Sequence, residues 1–195
     1  RLYIVSPEKP SLIGLDEQIG WPDCEPQWGT RSYDDFLSRI SDGQVYSFRL
    51  MANPALNRST RSGATDIKDQ KGGSKRIGHL TVLQQEAWLV GKQAYEGSGA
   101  EVPKLFADQP VSRAQRNGFE VLVNEVGIPR VIVSNSGKST FRKGAWGKTI
   151  TLVRAQYDGV LKVTDADALR HALTCGIGHG KAFGCGLLTL APLGK

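Results

Sequence analysis

The sequence predicts an α+β fold of two tandem ferredoxin-like (RRM-like) domains, the first lacking its N-terminal strand-helix-strand. Three observations lead there. Beyond residue 80 the hydrophobic pattern runs helix, strands, helix, strand. Before residue 54 a strand, a helix and a strand make an incomplete version of that order. Between them, residues 57–78, "NRSTRSGATDIKDQKGGSKRIG", hold almost no hydrophobes and cannot build a core. The expected organisation is the remainder of an N-terminal domain over 1–56, a basic flexible linker over 57–78 and a C-terminal domain over 79–195. A chain of 195 residues accommodates two units of about 100 residues each.

Leu2, Ile4 and Val5 suggest an opening strand, followed by loops rich in Pro and Gly. In "YDDFLSRI", Phe36, Leu37 and Ile40 stand at helical spacing, with acids in the first turn and Arg39 near the end, as the helix dipole favours. "QVYSFRLMANP" alternates Val45, Phe48 and Leu50 as a strand and stops at Asn53-Pro54. From Thr81, "TVLQQEAWLVGKQAYEG" sets Leu83, Ala87, Val90 and Ala94 on one helical face ending at Gly97. "FEVLVNEV", a long hairpin from Pro129 to Ala155 and "GVLKV" read as β-structure. "TDADALRHALTCG" is a helix with Thr164 and Asp167 at capping-box spacing and Gly176 at its stop, and "LLTLAP" is a final strand.

A composition of 39% hydrophobic and 23% charged residues, with no run of about 18 apolar residues, gives no sign of a membrane segment. Cys24, Cys175 and Cys185 have neither the even count of a disulfide framework nor C-x-x-C metal spacing, which fits a reducing cytoplasm and implies no bound metal. The opening "RLYIVSPEKP" shows no initiator Met and no signal-peptide apolar region, so a missing upstream segment is expected. The net charge of +6 is concentrated in patches: residues 130–154 carry six Lys or Arg and no acid.

The densest motif is "GIGHGKAFGCGLLTL", with five glycines between 176 and 186. It is no nucleotide cradle. No G-x-G-x-x-G fits, the helix-to-strand order is the reverse of a dinucleotide fold, and "SGKS" and "WGKT" have Ile132 and Arg142 where a P-loop needs its first Gly. No nucleotide cofactor is therefore expected. At a helix C-terminus the dipole repels anions, so a phosphate there would need backbone N–H groups and Lys181. Bare backbone for a bulky ligand and a tight helix-to-strand crossing are both open readings.

"SFRLMANP" (47–54), "EAWL" (86–89), "GVLKVTDADALRHAL" (159–173) and above all "GIGHGKAFGCGLLTLAP" (176–192) resemble the CasE family, the CRISPR-associated endoribonuclease of the type I-E Cascade complex. The resemblance runs from about Tyr46 to Leu193. It implies a protein that binds the stem-loop of each repeat in CRISPR precursor RNA and cuts at its 3′ base without metal, leaving a 5′-hydroxyl and a 2′,3′-cyclic phosphate. It implies further that the protein stays on the mature crRNA hairpin beside other Cascade subunits, including the backbone Cas proteins. On this resemblance Lys138, Arg142, Lys143 and Lys148 are expected to grip the RNA from the basic hairpin, joined by Arg113 and Arg116. Gly176, Gly178, Lys181, Gly184 and Gly186 match the family's glycine-rich loop beside the RNA, with His179 as an RNA contact and Phe183 as an anchor into the core.

Metal-free cleavage by a 2′-hydroxyl needs a base, an acid and positive charge on the developing phosphorane. The resemblance places the family's catalytic His and an accompanying Tyr on the first helix of the N-terminal domain, which is expected upstream of Arg1. His79 reads as a solvent-facing ring and His171 as a structural or surface residue, so no catalytic residue is assigned. The competing reading is a non-catalytic RNA-hairpin-binding assembly subunit.

Overall fold

The computed structural model describes residues 3–11, 29–58, 75–79, 81–96, 98–142, 147 and 149–193. The chain divides into two compact units, Arg1–Ile40 and Ser41–Lys195. In the first unit, residues 3–6 form no strand, contrary to expectation. Among the described residues no strand pairs with them, and a short apolar run without such a partner is not held extended. Helix α1, Asp34–Ser38, forms as expected, with both acids in its first turn and the Tyr33 and Phe36 rings stacked at 5.4 Å.

The second unit contains strand β1 (Val45–Ala52), the short pair β2 (Ala55–Arg58) and β3 (Lys75–Gly78), and helix α2 (Val82–Val90). Short helices α3 (Gln93–Glu96), α4 (Lys104–Ala107) and α5 (Arg113–Arg116) follow. Then come β4 (Phe119–Val121), β5 (Val131–Arg142), β6 (Thr149–Val163), α6 (Ala166–Cys175) and β7 (Leu188–Pro192). The sheet runs β4-β6-β1-β7 with β5 also on β6, and every pairing is antiparallel. Taken along the chain this is strand, helix, paired strands, helix, strand, the connectivity of a ferredoxin-like unit.

This topology corrects the expected boundaries. Strand β1 pairs with β6 from Val45–Lys162 to Ala52–Ala155 and with β7 from Tyr46–Pro192 to Leu50–Leu188. It is the inner strand of the sheet that the later segments build, so a division at residue 56 cuts through one hydrogen-bonded layer. Local pattern identified the strand correctly and could not reveal its partners. The linker is corrected too: Ala55–Arg58 pairs with Lys75–Gly78, so residues 57–58 and 75–78 are legs of a hairpin, while 59–74 lie outside the described residues. "GVLKV" is the far half of the 15-residue β6 rather than a separate strand.

The core lies on the helix-bearing face of the sheet. Phe48, Leu50 and Ala52 of β1 and Ala155, Tyr157, Leu161 and Val163 of β6 are buried there, as are Trp88 and Leu89 of α2 and Leu169 and Leu173 of α6. The Trp88 and Tyr157 rings lie 5.8 Å apart. The opposite face carries Arg49 paired with Asp158, and Gln156 donating to that carboxylate. The expected long helix after Thr81 breaks at Gly91, whose φ of +70° ends α2; Thr81 caps it by accepting from the Gln84 N–H at 3.3 Å. The cap of α6 is Asp165, accepting from the Ala168 N–H at 2.9 Å, one residue after the expected Thr164.

Gly159 shows how closely the sheet is filled. A Cβ there would meet the Arg130 carbonyl oxygen at 2.5 Å and the Phe48 ring at 2.8 Å. Gly159→Ala is expected to destabilise the protein by about 1–3 kcal/mol, the range for overpacking. The check is a lower urea midpoint with the slope of the transition unchanged.

Candidate nucleic-acid interface

The basic hairpin is the distal part of β5 and β6, and it is rooted in the core by buried Gln85. Gln85 Nε2 donates to the His79 carbonyl at 3.0 Å and to Ser136 Oγ at 2.7 Å, and the Tyr157 hydroxyl donates to the Gln85 carbonyl at 2.9 Å. Ser136 sits in the bulge between Ser134 and Gly137, where the β5–β6 register shifts and Asn135 takes a φ of +48°. Beyond the bulge Lys138 pairs with Val153, Ser139 with Leu152, Thr140 with Thr151, Phe141 with Ile150 and Arg142 with Thr149.

Pair partners in an antiparallel ladder point the same way, and alternate pairs point oppositely. Lys138 and Arg142 therefore share the face of Val153, the helix-bearing side, and both are exposed. Ser139, Phe141 and Arg154 share the other face. Leu152 and Val153 are consecutive yet both buried, which requires cover on both sides of the strand. Val153 is closely approached by Gly78 of β3, and Leu152 by Gly180 of the glycine-rich loop, where a Cβ would come within 3.1 Å of Leu152 Cδ1.

That contact explains much of the glycine motif. Gly176, Gly178, Gly180, Gly184 and Gly186 all have positive φ. The loop folds back on itself and onto β1: the Ile177 N–H donates to the Gly186 carbonyl at 2.8 Å and the Gly186 N–H to the Met51 carbonyl at 2.6 Å. A side chain on Gly178 would collide with the Trp88 ring at 2.9 Å. The loop is thus a tight helix-to-strand crossing that also rests on the side of the hairpin opposite Lys138 and Arg142. Lys181 and His179 are exposed on it, and His179 forms a β-bridge with Asn53. Phe183 does not anchor into the core: it is 43% exposed and meets Phe141 of the hairpin edge to face at 5.1 Å. A core position would need the loop to turn inward, where Ile177 and Cys185 already sit.

The remaining site residues separate. The Arg113 guanidinium lies 4.4 Å from the centre of the Trp88 ring, and burial, then Arg116, holds its pKa below the usual arginine range. It is part of the packing between α5 and α2, so its expected place among the hairpin cations is corrected; only the tertiary fold brings Trp88 beneath it. Arg116 is exposed, with Nε and Nη2 donating to the Val111 carbonyl. Lys143 and Lys148 lie outside the described residues. His171 is exposed on α6, with Nδ1 3.7 Å from Cys175 Sγ. His79 departs most from expectation. Its ring is buried and 5.6 Å from Phe106, because the β2–β3 hairpin carries it under α2. Burial, followed by Arg113, lowers its pKa. His79 Nε2, Gln85 Oε1 and Arg113 Nε are buried with no hydrogen-bond partner among the described residues.

The family model for CRISPR associated protein matches residues 1–192. The chain belongs to this CRISPR-associated protein family. It is 33% identical over 160 residues to the CRISPR system Cascade subunit CasE of Escherichia coli (strain K12), covering 80% of this chain and 62% of that protein. It is 29% identical, again over 160 residues, to the CRISPR-associated endoribonuclease Cse3 of Thermus thermophilus, covering 80% of this chain and 60% of the relative. A solved CRISPR endoribonuclease Cse3 bound to 19 nt RNA matches with a TM-score of 0.51 at 27% identity, over 78% of this chain and 58% of that one. The chain spans about three fifths of the length of the curated relatives it matches. Among the described residues of this CRISPR-associated protein, no helix is long and apolar enough to cross a membrane.

The lowered pKa of buried His79 predicts a pH dependence of the fold. Its folded pKa lies below its unfolded value, so in acid the unfolded chain binds the proton that the folded chain resists. Stability is expected to be full above about pH 6.5, the unfolded histidine value, and to fall as pH drops below it. His79→Gln should flatten that slope, as measured by urea unfolding at a series of pH values.

Proposed function

We propose that this chain supplies the RNA-gripping part of a CRISPR precursor-RNA endoribonuclease, holding the repeat stem-loop and staying on the crRNA 3′ hairpin beside other Cascade subunits. The observation that carries this reading is the acid-free hairpin: Lys138 and Arg142 are exposed on a β-ribbon rooted by Gln85 and backed by the glycine-rich loop. It occurs in a CRISPR-associated chain similar to a Cse3 solved with RNA bound. An A-form stem hides its major-groove base edges, so a protein holds it by phosphates and shape, which suits a narrow cationic ribbon. The unit Ser41–Lys195 is then the C-terminal member of a tandem ferredoxin-like pair.

The proposed reaction is attack of a 2′-oxygen on the adjacent phosphorus. A base accepts the 2′-hydroxyl proton, the P–O5′ bond breaks, and an acid protonates the leaving 5′-oxygen, giving a 2′,3′-cyclic phosphate and a 5′-hydroxyl. No metal is required for that balance, and the cations offset the charge growing on the phosphorane. Of the three histidines, His179 is the one on the loop beside the hairpin. His79 is buried and His171 lies on α6 beside Cys175, so neither is assigned a part in that reaction; the second reading is a subunit that binds the hairpin without cutting it.

Two measurements test this. Lys138→Ala with Arg142→Ala should weaken binding of the repeat stem-loop and reduce the slope of log affinity against log salt by roughly two phosphate contacts. An unchanged slope would remove the hairpin from the interface. Incubating the 5′-labelled stem-loop with the full-length gene product in EDTA should yield the cyclic-phosphate end; RNA that is bound and never cut favours the assembly subunit.

A further inference from the structure

The side of the hairpin facing the glycine-rich loop carries groups that the proposed phosphate grip does not use. Phe183 ends a three-residue 3-10 turn, Lys181–Phe183, clamped between Gly180 and Gly184, both left-handed. It is 43% exposed, and its edge-to-face contact with Phe141, at 65° between ring planes, covers at most one side of the ring. Nothing among the described residues lies within 4 Å of where a Cβ of the next residue, Gly184, would be. Two residues along β5 from Phe141, Ser139 Oγ accepts from Arg154 Nη2 at 3.5 Å. Phe183, Phe141, Ser139 and Arg154 thus form one strip on the face opposite Lys138 and Arg142.

Arg154 is exposed and in no ion pair among the described residues. The first acid beyond it along β6, Asp158, is engaged by Arg49 and Gln156. The residue paired with Arg154 is Gly137, which places no side chain beside it. The guanidinium also acts on the loop: burial pushes the Cys185 thiol pKa up and Arg154 pulls it back.

We propose that this strip is a subsite for an unpaired RNA nucleotide next to the stem, with Phe183 stacking on the base and Arg154 holding its phosphate. The inference rests on the RNA-binding reading above. Bases inside a duplex have both faces covered by their neighbours, so an exposed protein ring stacks either on a base splayed out of the helix or on the end pair of the stem, and only the first makes binding depend on the flank. An aromatic ring beside a cation is the pairing that single-stranded nucleic acid calls for. The cation beside the ring favours a nucleotide over an apolar partner, because Arg154 supplies a charge for a phosphate where Phe183 supplies a face for a base.

The test compares two RNAs, the repeat stem-loop alone and the same stem-loop with a short single-stranded flank carrying 2-aminopurine at successive positions. The wild-type protein should quench 2-aminopurine at one flank position and bind the flanked RNA about tenfold more tightly than the bare stem, within the range of one base–aromatic stack. Phe183→Leu, which keeps an apolar side chain against Phe141, should abolish the quench and the tenfold gain while leaving bare-stem affinity unchanged; Phe183→Trp should restore both. Arg154→Ala should lower the salt slope for the flanked RNA by about one contact and leave that of the bare stem unchanged. Absence of quenching at every flank position, or equal losses on both RNAs, overturns the subsite. The RNA-binding reading is tested separately by bare-stem binding and its response to the Lys138 and Arg142 changes.

Discussion

The described fold depends on the pairing of one long strand. β6 runs through 15 residues, and in passing it hydrogen-bonds to β4 and β1 at one end and to β5 along the other. Its first half belongs to a two-stranded ribbon and its second half is an inner strand of the sheet, so position on the ribbon is referred directly to the core. The bulge at Asn135 and Ser136 marks the change from one role to the other, and Gln85 ties that point to α2. A shift of one residue in this register would exchange the two faces of the ribbon, turning Lys138 toward the loop and Arg154 away from it.

The glycine-rich loop and the hairpin are one structure rather than two adjacent ones. Leu152 is buried because Gly180 covers it, and Phe141 is partly covered because Phe183 leans on it. The loop's glycines therefore serve packing first: Gly178 makes room for Trp88, and Gly180 for Leu152 and Asn53. What remains outward after those contacts is His179, Lys181 and one side of Phe183.

Elements read from local pattern held well in the sequence. Strand β1, helix α6 with its Gly176 stop, the hairpin and strand β7 all lie where periodicity and turn residues put them, because each is specified by neighbours a few positions away. Partnership was not legible. Nothing in "QVYSFRLMANP" says that its hydrogen bonds go to residues more than 100 positions later, and that single fact moves the domain boundary. The same limit hid the fates of Arg113 and His79. A polar residue in a basic stretch looks solvated until the fold brings Trp88 under one and Phe106 against the other. Phe183 failed in the opposite sense, an aromatic in an apolar-looking run that the three-residue turn leaves outside.

The place of β1 between β6 and β7 also has a consequence for how the protein is made. The Arg49 carbonyl accepts from the Thr189 hydroxyl across 140 residues of chain, and the strand that contains it stays without its second neighbour until residues 188–192 have left the ribosome. During that interval the backbone edge of β1 is open to any other extended segment. Long-range closure of this kind slows folding and prolongs exposure to aggregation. For this chain, then, the last strand to be made is the one that covers the open edge of β1.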